Sequence, residues 1–211
     1  ELITHNNNKK ERITSTLNKV STIVVNSNYT AGLVEKLIEK KPQIKVVHPG
    51  ATDLRSLDST DFMNIKGNPV LLTLARLEKR KGHFFILQAM KELKNKFPDI
   101  MYIIAGEGSE KAYLQRVVNS FDLNNHVFFA GNVNEKQKKQ LFKNTTLMVM
   151  PTLDESHNRS IEGFGIAYLE AAFFGIPSIA SNLGGTPEAV LHEKTGIIID
   201  NHEQLFFSIN D

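Results

Sequence analysis

The sequence predicts a doubly wound α/β domain, in which helices cover both faces of a parallel sheet. From about residue 69, short apolar runs of strand length alternate with segments whose apolar residues recur at helical spacing. The strand runs are almost continuously apolar, as expected for strands that are buried on both faces. Glycine or proline ends most of these segments, which marks the turns between elements.

The elements of this region follow one another in order. The first predicted strand covers residues 70–75, and the helix after it covers 84–97 and stops where Pro98 cannot continue it. The other predicted elements are a strand at 100–105, a helix at 109–121 capped by Ser109, a strand at 127–129, a helix at 134–144 capped by Asn134, a strand at 147–150, a helix at 162–170, strands at 178–180 and 197–199, and the first turns of a helix at the end of the chain.

The first 60 residues have a different organisation. Helices are predicted at 9–20 and 30–38, strands at 22–25 and 45–48, and a polar connection at 53–67. One strand with its helices cannot bury a core alone. We therefore interpret residues 1–41 as a remnant of a preceding domain with its connection, and residues 42–211 as the α/β domain.

Composition excludes several classes of function. The 211 residues are 41% hydrophobic and 23% charged, which is typical of a globular protein, and the net charge of +2 is too balanced for a nucleic-acid-binding surface. The chain has no cysteine, so disulfides and thiolate metal sites are excluded. No apolar run approaches the roughly 20 residues of a membrane span. Without a leader sequence, the expected location is the cytoplasm, with the inner face of the membrane as an alternative.

Charged residues and glycines follow the predicted strands, at the edge of the sheet where ligands of such domains bind. Arg76 and Lys81 come after the first strand, and Gly106 and Gly108 come after the second. A guanidinium can donate two hydrogen bonds to one phosphate, and a lysine adds a compact positive charge. Taken alone, Arg76 and Lys81 are explained more simply by a basic loop exposed to water.

Two carboxylates stand eight residues apart, at Glu162 and Glu170, and glycines follow the first of them. A helix between them would separate the carboxylates by roughly 12 Å. That distance suits a long anionic ligand with a sugar at one end and a ribose at the other, and exceeds the about 5 Å spacing of carboxylates that flank one glycosidic bond. An amphipathic helix with an acidic first turn is the ordinary alternative.

Taken together, the motifs resemble the C-terminal, donor-binding half of a GT-B fold, retaining glycosyltransferase of group 1, or family 4. The resemblance covers about residues 46–199 and depends on the order and spacing of its motifs. These motifs are Arg76 with Lys81 and Gly82, residues 104–108, residues 129–131, Glu162 with Glu170, residues 175–177, and residues 184–188 before 194–196.

The resemblance implies transfer of a hexose from a UDP-, GDP- or ADP-sugar to an acceptor sugar or lipid-linked glycan, with retention of configuration and without a metal or other cofactor. The acceptor site, and any peripheral membrane contact, would belong to an N-terminal domain of which residues 1–41 are the remnant. The implied catalytic residues are Arg76 and Lys81 at the diphosphate and Glu162 at the sugar. The implied donor-binding residues are Gly163, Phe164, Gly165 and Ile166 with their amides beside Glu162, Glu170 at the ribose, Asn132 and Val133 near the base, and Gly106.

Two other functions stay open at this stage. A non-catalytic nucleotide-binding module would keep the same fold, although it would have no need for the full set of charged residues. An NAD(P) oxidoreductase is less well supported, because Lys111 stands where the dinucleotide fingerprint has its third glycine. A metal site at Asp154, Glu155 and His157 lacks a recognised ligand spacing. The chain by itself is expected to bind donor but to transfer sugar poorly.

Overall fold

The computed structural model describes residues 6–40, 42–58, 64, 66–158 and 160–210. The strands are β1 Thr22–Val25, β2 Gln43–Val46, β3 Val70–Leu74, β4 Met101–Ala105, β5 Val127–Gly131, β6 Leu147–Met150, β7 Ser178–Ser181 and β8 Gly196–Ile199. The α-helices are α1 Asn7–Leu17, α2 Asn28–Glu35, α3 His83–Lys96, α4 Lys111–Ser120, α5 Glu135–Lys143, α6 Ile166–Phe173, α7 Thr186–Ala189 and α8 Gln204–Asn210. Short 3-10 turns lie at Leu54–Ser56, Lys79–Lys81 and Ser156–Asn158.

The main sheet confirms the predicted fold class. Within the described residues it has six strands in the order β5-β4-β3-β6-β7-β8, and every neighbouring pair is parallel. Within this sheet, the chain first forms β3 at the centre and then β4 and β5 on one side. It then returns to form β6, β7 and β8 on the other side. The strand order therefore reverses between β3 and β6, which is where open α/β sheets bind their ligands.

Two apolar clusters, one on each face of the sheet, explain why the strands are continuously apolar. Leu71 of β3 packs with residues of α3, α4 and α8, whereas its neighbour Leu72 packs with residues of α5 and α6. Both leucines are fully buried. Because successive side chains of a strand point to opposite faces, a central strand must be apolar at nearly every position to cover both clusters.

The start of the described chain forms a small separate unit. β1 and β2 pair in parallel as their own two-stranded sheet, and α2 packs on it around Ile23, Val25, Ala31 and Val34. The predicted domain boundary at residue 42 lies between β1 and β2. β2 was assigned to the second predicted domain, but it pairs with β1 of the first. β2 also ends two residues before the predicted limit at 48.

Local capping explains where some predictions succeeded and others failed. Asn134 caps α5 in a reciprocal capping box with Gln137, as predicted for that residue. Ser109 does not cap α4, because the helix begins later and Glu110 holds the cap position. The four-residue helix α7 is too short to show a helical period in the sequence.

Of the predicted connection at 53–67, residues 59–63 and 65 lie outside the described residues. Among the helices that the structure describes, none combines the length and the apolar character that a membrane span requires.

Candidate donor-binding site

The loops after β3 and β6 meet at the point where the strand order reverses. Leu153 donates its backbone N–H to the carbonyl of Arg80 at 2.7 Å, which joins the two loops. Gly82 has φ +72, and a Cβ at this position would lie 2.0 Å from the carbonyl oxygen of Pro151. Only glycine allows so close an approach with this backbone conformation. The β3 loop is therefore held against the β6 loop at the sheet edge.

Lys81 and Glu162 form a buried ion pair at this edge. The Lys81 Nζ lies 2.5 Å from Glu162 Oε2, and the two side chains are only 10% and 14% exposed. Burial lowers the pKa of Lys81 below its ordinary value, although Glu162 opposes that effect. Burial alone would raise the pKa of Glu162, but the charges of Lys81 and Arg80 outweigh it and leave that pKa lowered. The carboxylate is therefore ionised at neutral pH.

Arg80 and Glu78 complete a chain of charges that the sequence did not predict. Arg80 Nη1 lies 3.1 Å from Glu162 Oε2, and Arg80 Nε lies 3.1 Å from Glu78 Oε2. Glu78 in turn forms an ion pair with Arg76, whose Nη1 lies 2.7 Å from Glu78 Oε1. The basic cluster around Lys81 is visible in the sequence, but nothing there indicates that Arg80 points inward. The structure thus links Arg76, Glu78, Arg80, Glu162 and Lys81 in one continuous sequence of ion pairs.

Arg76 occupies the exposed end of this chain of charges. Its side chain is 69% exposed, and it reaches Lys81 only through Glu78, Arg80 and Glu162. Its backbone carbonyl lies 3.3 Å from Nε2 of the buried His83. Burial lowers the pKa of His83 to about 4, so the ring is neutral at neutral pH and contributes no charge. Arg76 thus has a fixed backbone and a side chain that solvent can reach.

The helix predicted at 162–170 begins four residues later than expected. α6 starts at Ile166, and Gly165 precedes it with φ +98, in the left-handed region that glycine tolerates. Glu162 and Gly163 therefore belong to a loop, and the separation of roughly 12 Å estimated from one continuous helix does not apply. The glycines make this loop possible, whereas the family resemblance implied only a role for their amides beside the sugar. Phe164 is buried and Ile166 is exposed.

Glu170 contacts α5, the helix that follows the predicted base-binding turn. Lys138 of α5 donates to Glu170 Oε1 at 2.8 Å, a contact that the sequence analysis missed because the two residues are 32 positions apart. Asn132 and Val133 form the connection between β5 and α5. Gly106 donates its backbone N–H to the carbonyl of Gly131 at 2.7 Å, so the turns after β4 and β5 are adjacent.

Glu188 fastens the N-terminal unit to this site. Its carboxylate accepts from the backbone N–H groups of Asn28 and Tyr29 at the start of α2, at 2.8 and 3.0 Å, and lies 2.9 Å from His48 Nε2. The His48 ring stacks on Phe164 at 5.2 Å between centroids. The loop that carries Glu162 is thereby connected to α2.

The Glu188 contacts predict a specific loss of stability in acid. Burial by itself raises the pKa of Glu188, but hydrogen bonds from Asn28, Tyr29 and His48 outweigh it and lower the pKa from 4.5 to about 2. A carboxyl with a lowered pKa in the folded state contributes stability that is complete above its unfolded pKa. We expect that contribution to disappear as the pH falls from about 4.5 to about 2.

Urea unfolding of the wild type and of Glu188→Gln between about pH 6 and about pH 3 measures this effect. The difference in unfolding free energy between the two proteins should shrink as the pH falls, because other acidic groups affect both equally. A difference that stays constant over this range would contradict the assignment.

Metal ligands are not grouped in the described part of the chain. Among those residues, no three or more His, Asp or Glu side chains lie together in an arrangement that could hold a metal ion. The prediction that transfer proceeds without a metal is a separate matter and stays a prediction.

Comparison with known proteins identifies the family. The model of the family described as glycosyl transferases group 1 matches residues 58–208, which is more than half of the chain. The chain belongs to that family. As a group 1 member it has the GT-B type of α/β domain that the resemblance implied.

Sequence relatives of this glycosyl transferases group 1 chain include mannosyltransferases. One is a GDP-mannose-dependent α-(1-6)-phosphatidylinositol monomannoside mannosyltransferase of Mycolicibacterium smegmatis, 34% identical over 132 residues, or 63% of this chain and 35% of the relative. Another is the mouse α-1,3/1,6-mannosyltransferase ALG2, 29% identical over 84% of this chain and 46% of the relative. The chain therefore spans about a third to a half of the length of these relatives.

Solved structures of low sequence identity share the fold. Anabaena HepE, in complex with UDP and glucose, has a TM-score of 0.81 at 20% identity over 100% of this chain and 59% of its own. The sucrose-phosphate synthase of Thermosynechococcus elongatus has a TM-score of 0.81 at 21% identity over 100% of this chain and 53% of its own.

Proposed function

We propose that this chain is the donor-binding part of a glycosyltransferase that moves a hexose from a nucleotide-diphosphate sugar to an acceptor, with retention of configuration. The observation that carries the proposal is the chain of ion pairs from Arg76 to Lys81 at the reversal of strand order. A site with several fixed positive charges at the carboxyl edge of a parallel sheet suits a diphosphate.

The proposed roles follow from the charges of the site. Arg76 and Lys81 stabilise the diphosphate as the bond between the sugar carbon and the phosphate oxygen breaks, and the acceptor oxygen attacks from the same face. The acceptor hydroxyl passes its proton to the departing diphosphate oxygen as its own oxygen bonds to the sugar. The ionised Glu162 lies beside the sugar, and Glu170 binds the ribose hydroxyls. Because these cations and the N-terminus of α6 already supply positive charge, we propose that no metal is required.

GDP-mannose is the donor that we propose to test first. The Mycolicibacterium smegmatis relative named above depends on GDP-mannose and acts on a phosphatidylinositol mannoside, according to its description. The UDP-bound structure shares the fold at an identity too low to extend to the donor. A lipid-linked mannoside is accordingly the proposed class of acceptor, bound by a part of the protein beyond this chain.

Substitution of Arg76 by alanine should weaken donor binding and leave folding almost unchanged. Loss of one charged hydrogen-bond donor is expected to reduce GDP affinity about 10- to 100-fold. Because Arg76 is mostly exposed, its ion pair with Glu78 should contribute less than about 1 kcal/mol to stability. Calorimetric titration of the chain with GDP, UDP and ADP, with thermal unfolding in parallel, measures both quantities.

Lys79→Ala is the matched control, because it removes one exposed charge from the same loop. An Arg76→Ala variant that binds all three diphosphates as tightly as the wild type would count against the proposal. Transfer and retention require the full-length protein: incubation with GDP-mannose and a mannolipid, followed by NMR of the new anomeric centre, distinguishes retention from inversion. A full-length protein that binds GDP but never turns over donor would favour the non-catalytic module instead.

A further inference from the structure

We propose that Arg80 is a positioning residue that allows a donor diphosphate and two buried or half-buried carboxylates to occupy the same site. This inference rests on the proposed function, because it concerns the same donor. Arg80 was assigned no role by the sequence motifs, which select only Arg76 and Lys81. Its place in the structure gives it one.

Arg80 is the central member of the chain of ion pairs. Its guanidinium contacts both carboxylates, Glu162 through Nη1 and Glu78 through Nε, each at 3.1 Å. The two outer cations contact one carboxylate each, Arg76 with Glu78 and Lys81 with Glu162. Three cations and two carboxylates thus alternate, and only the middle cation, Arg80, contacts both carboxylates.

The outer cations are the ones that the proposed function gives to the diphosphate. When a diphosphate draws Arg76 and Lys81 toward its oxygens, Glu78 and Glu162 each lose a partner. Arg80 then remains as the cation in contact with both carboxylates. Without Arg80, two carboxylates would face a ligand of the same sign in a partly buried site, where such repulsion is poorly screened.

Burial and backbone contacts keep Arg80 in this place. Its side chain is 11% exposed, against 69% for Arg76. Its carbonyl accepts the backbone N–H of Leu153, which fixes the turn Lys79–Lys81 against the loop after β6. A guanidinium that is bound to two carboxylates cannot also move to the oxygens of a diphosphate. Arg80 is therefore suited to hold the carboxylates, and not to bind the donor.

The test combines Arg80→Met with Glu78→Gln. GDP affinity of the chain is measured by calorimetry for the wild type, each single variant and the double variant. We expect Arg80→Met to weaken GDP binding about tenfold or more. Glu78→Gln in the Arg80→Met background should restore a large part of the lost affinity, because it removes the carboxylate that Arg80 neutralised. A loss of packing would not be repaired by neutralising Glu78.

Lys79→Met serves as the control for net charge, and it should bind GDP like the wild type. If Arg80→Met does not fold, as judged by thermal unfolding, the same comparison is made between Arg80→Lys and Arg80→Lys with Glu78→Gln. Lysine keeps the charge but cannot reach both carboxylates with a planar fork, so an intermediate loss with rescue is expected.

Two results would overturn the assignment of Arg80. One is an affinity of Arg80→Met within twofold of the wild type, and the other is strictly additive effects of the two substitutions. Either result leaves the proposed function intact as long as the wild type binds GDP. A wild-type chain that binds none of GDP, UDP and ADP would overturn the proposed function, and the role of Arg80 with it.

Discussion

Replacing Lys81 by alanine is expected to cause the largest combined loss of stability and of donor binding at this site. The ammonium is buried against Glu162 at 2.5 Å, so its removal leaves a buried carboxylate with Arg80 as its remaining cation. Breaking a buried ion pair by removing one partner costs about 3–5 kcal/mol, and Arg80 should keep the cost near the lower limit. For a chain of this size, that corresponds to a melting temperature about 6–12 °C lower.

Donor binding should fall at the same time, because Lys81 is also a proposed diphosphate ligand. We expect GDP affinity to drop about 10- to 100-fold, as for Arg76→Ala. The two substitutions therefore separate two effects: Arg76→Ala should affect binding alone, and Lys81→Ala should affect binding and folding. Thermal unfolding and calorimetric titration of both variants measure the difference.

Lys81→Met and Lys79→Ala are the controls for this experiment. Methionine keeps most of the buried length of the side chain, so its effect reports on the charge and not on a cavity. Lys79 lies in the same turn but is exposed. A Lys81→Met variant as stable as the Lys79→Ala variant would show that the ion pair with Glu162 does not stabilise the fold.

Gly185→Ala should be among the most damaging of the small substitutions near the site. A Cβ at Gly185 would lie 1.9 Å from the carbonyl oxygen of Gly163 and 3.0 Å from Ser27 Cβ. No side chain can adopt such a distance from a backbone atom, so the loop that carries Glu162 must move. Gly185 also donates its backbone N–H to the carbonyl of Glu162 at 2.9 Å, and that hydrogen bond would be strained.

The expected cost of Gly185→Ala is about 2–3 kcal/mol in unfolding free energy, the upper part of the range for an overpacked site. Because the displaced loop holds Glu162 against Lys81 and Arg80, GDP affinity should fall as well. Urea unfolding and calorimetry measure the two effects. Gly32→Ala is the control: this glycine lies inside α2 with nothing within 4 Å of an added Cβ, so alanine should stabilise the helix by about 0.5–1 kcal/mol. Equal stability of the two variants would contradict the steric argument.

Whether a predicted element matches the observed one depends on the range of the interactions that determine it. The strands at 70–75, 100–105 and 147–150 were predicted closely, because burial on both faces requires apolar residues at nearly every position and leaves a clear local pattern. Ser109 was wrong as a cap because a serine before a helix is only one of several possible starts. Helix boundaries near Glu162 were wrong for a related reason: glycine permits both a helix start and a loop, and the sequence does not distinguish them.

The contacts of the charged residues could not be read from the sequence. Lys79, Arg80 and Lys81 form one basic cluster there, and a 3-10 turn followed by the left-handed Gly82 decides which of them is directed to Glu162. Lys138 and Glu170 are separated by 32 residues and meet only because α5 and α6 are held by the same sheet. Glu188 lies 160 residues from Asn28 and accepts a hydrogen bond from its backbone N–H.

By itself, then, the sequence determined the parallel α/β domain, the membership in a family of glycosyltransferases and the identity of the motif residues at the carboxyl edge of the sheet. These properties depend on local periodicity and on residue order, which a single chain records directly. The tertiary structure alone decided which charges are partners across the fold: Lys81 and Arg80 with Glu162, and Lys138 with Glu170. Ion pairs depend on distances of a few ångströms between side chains that are remote in sequence, and only the packing of the strands and loops sets those distances.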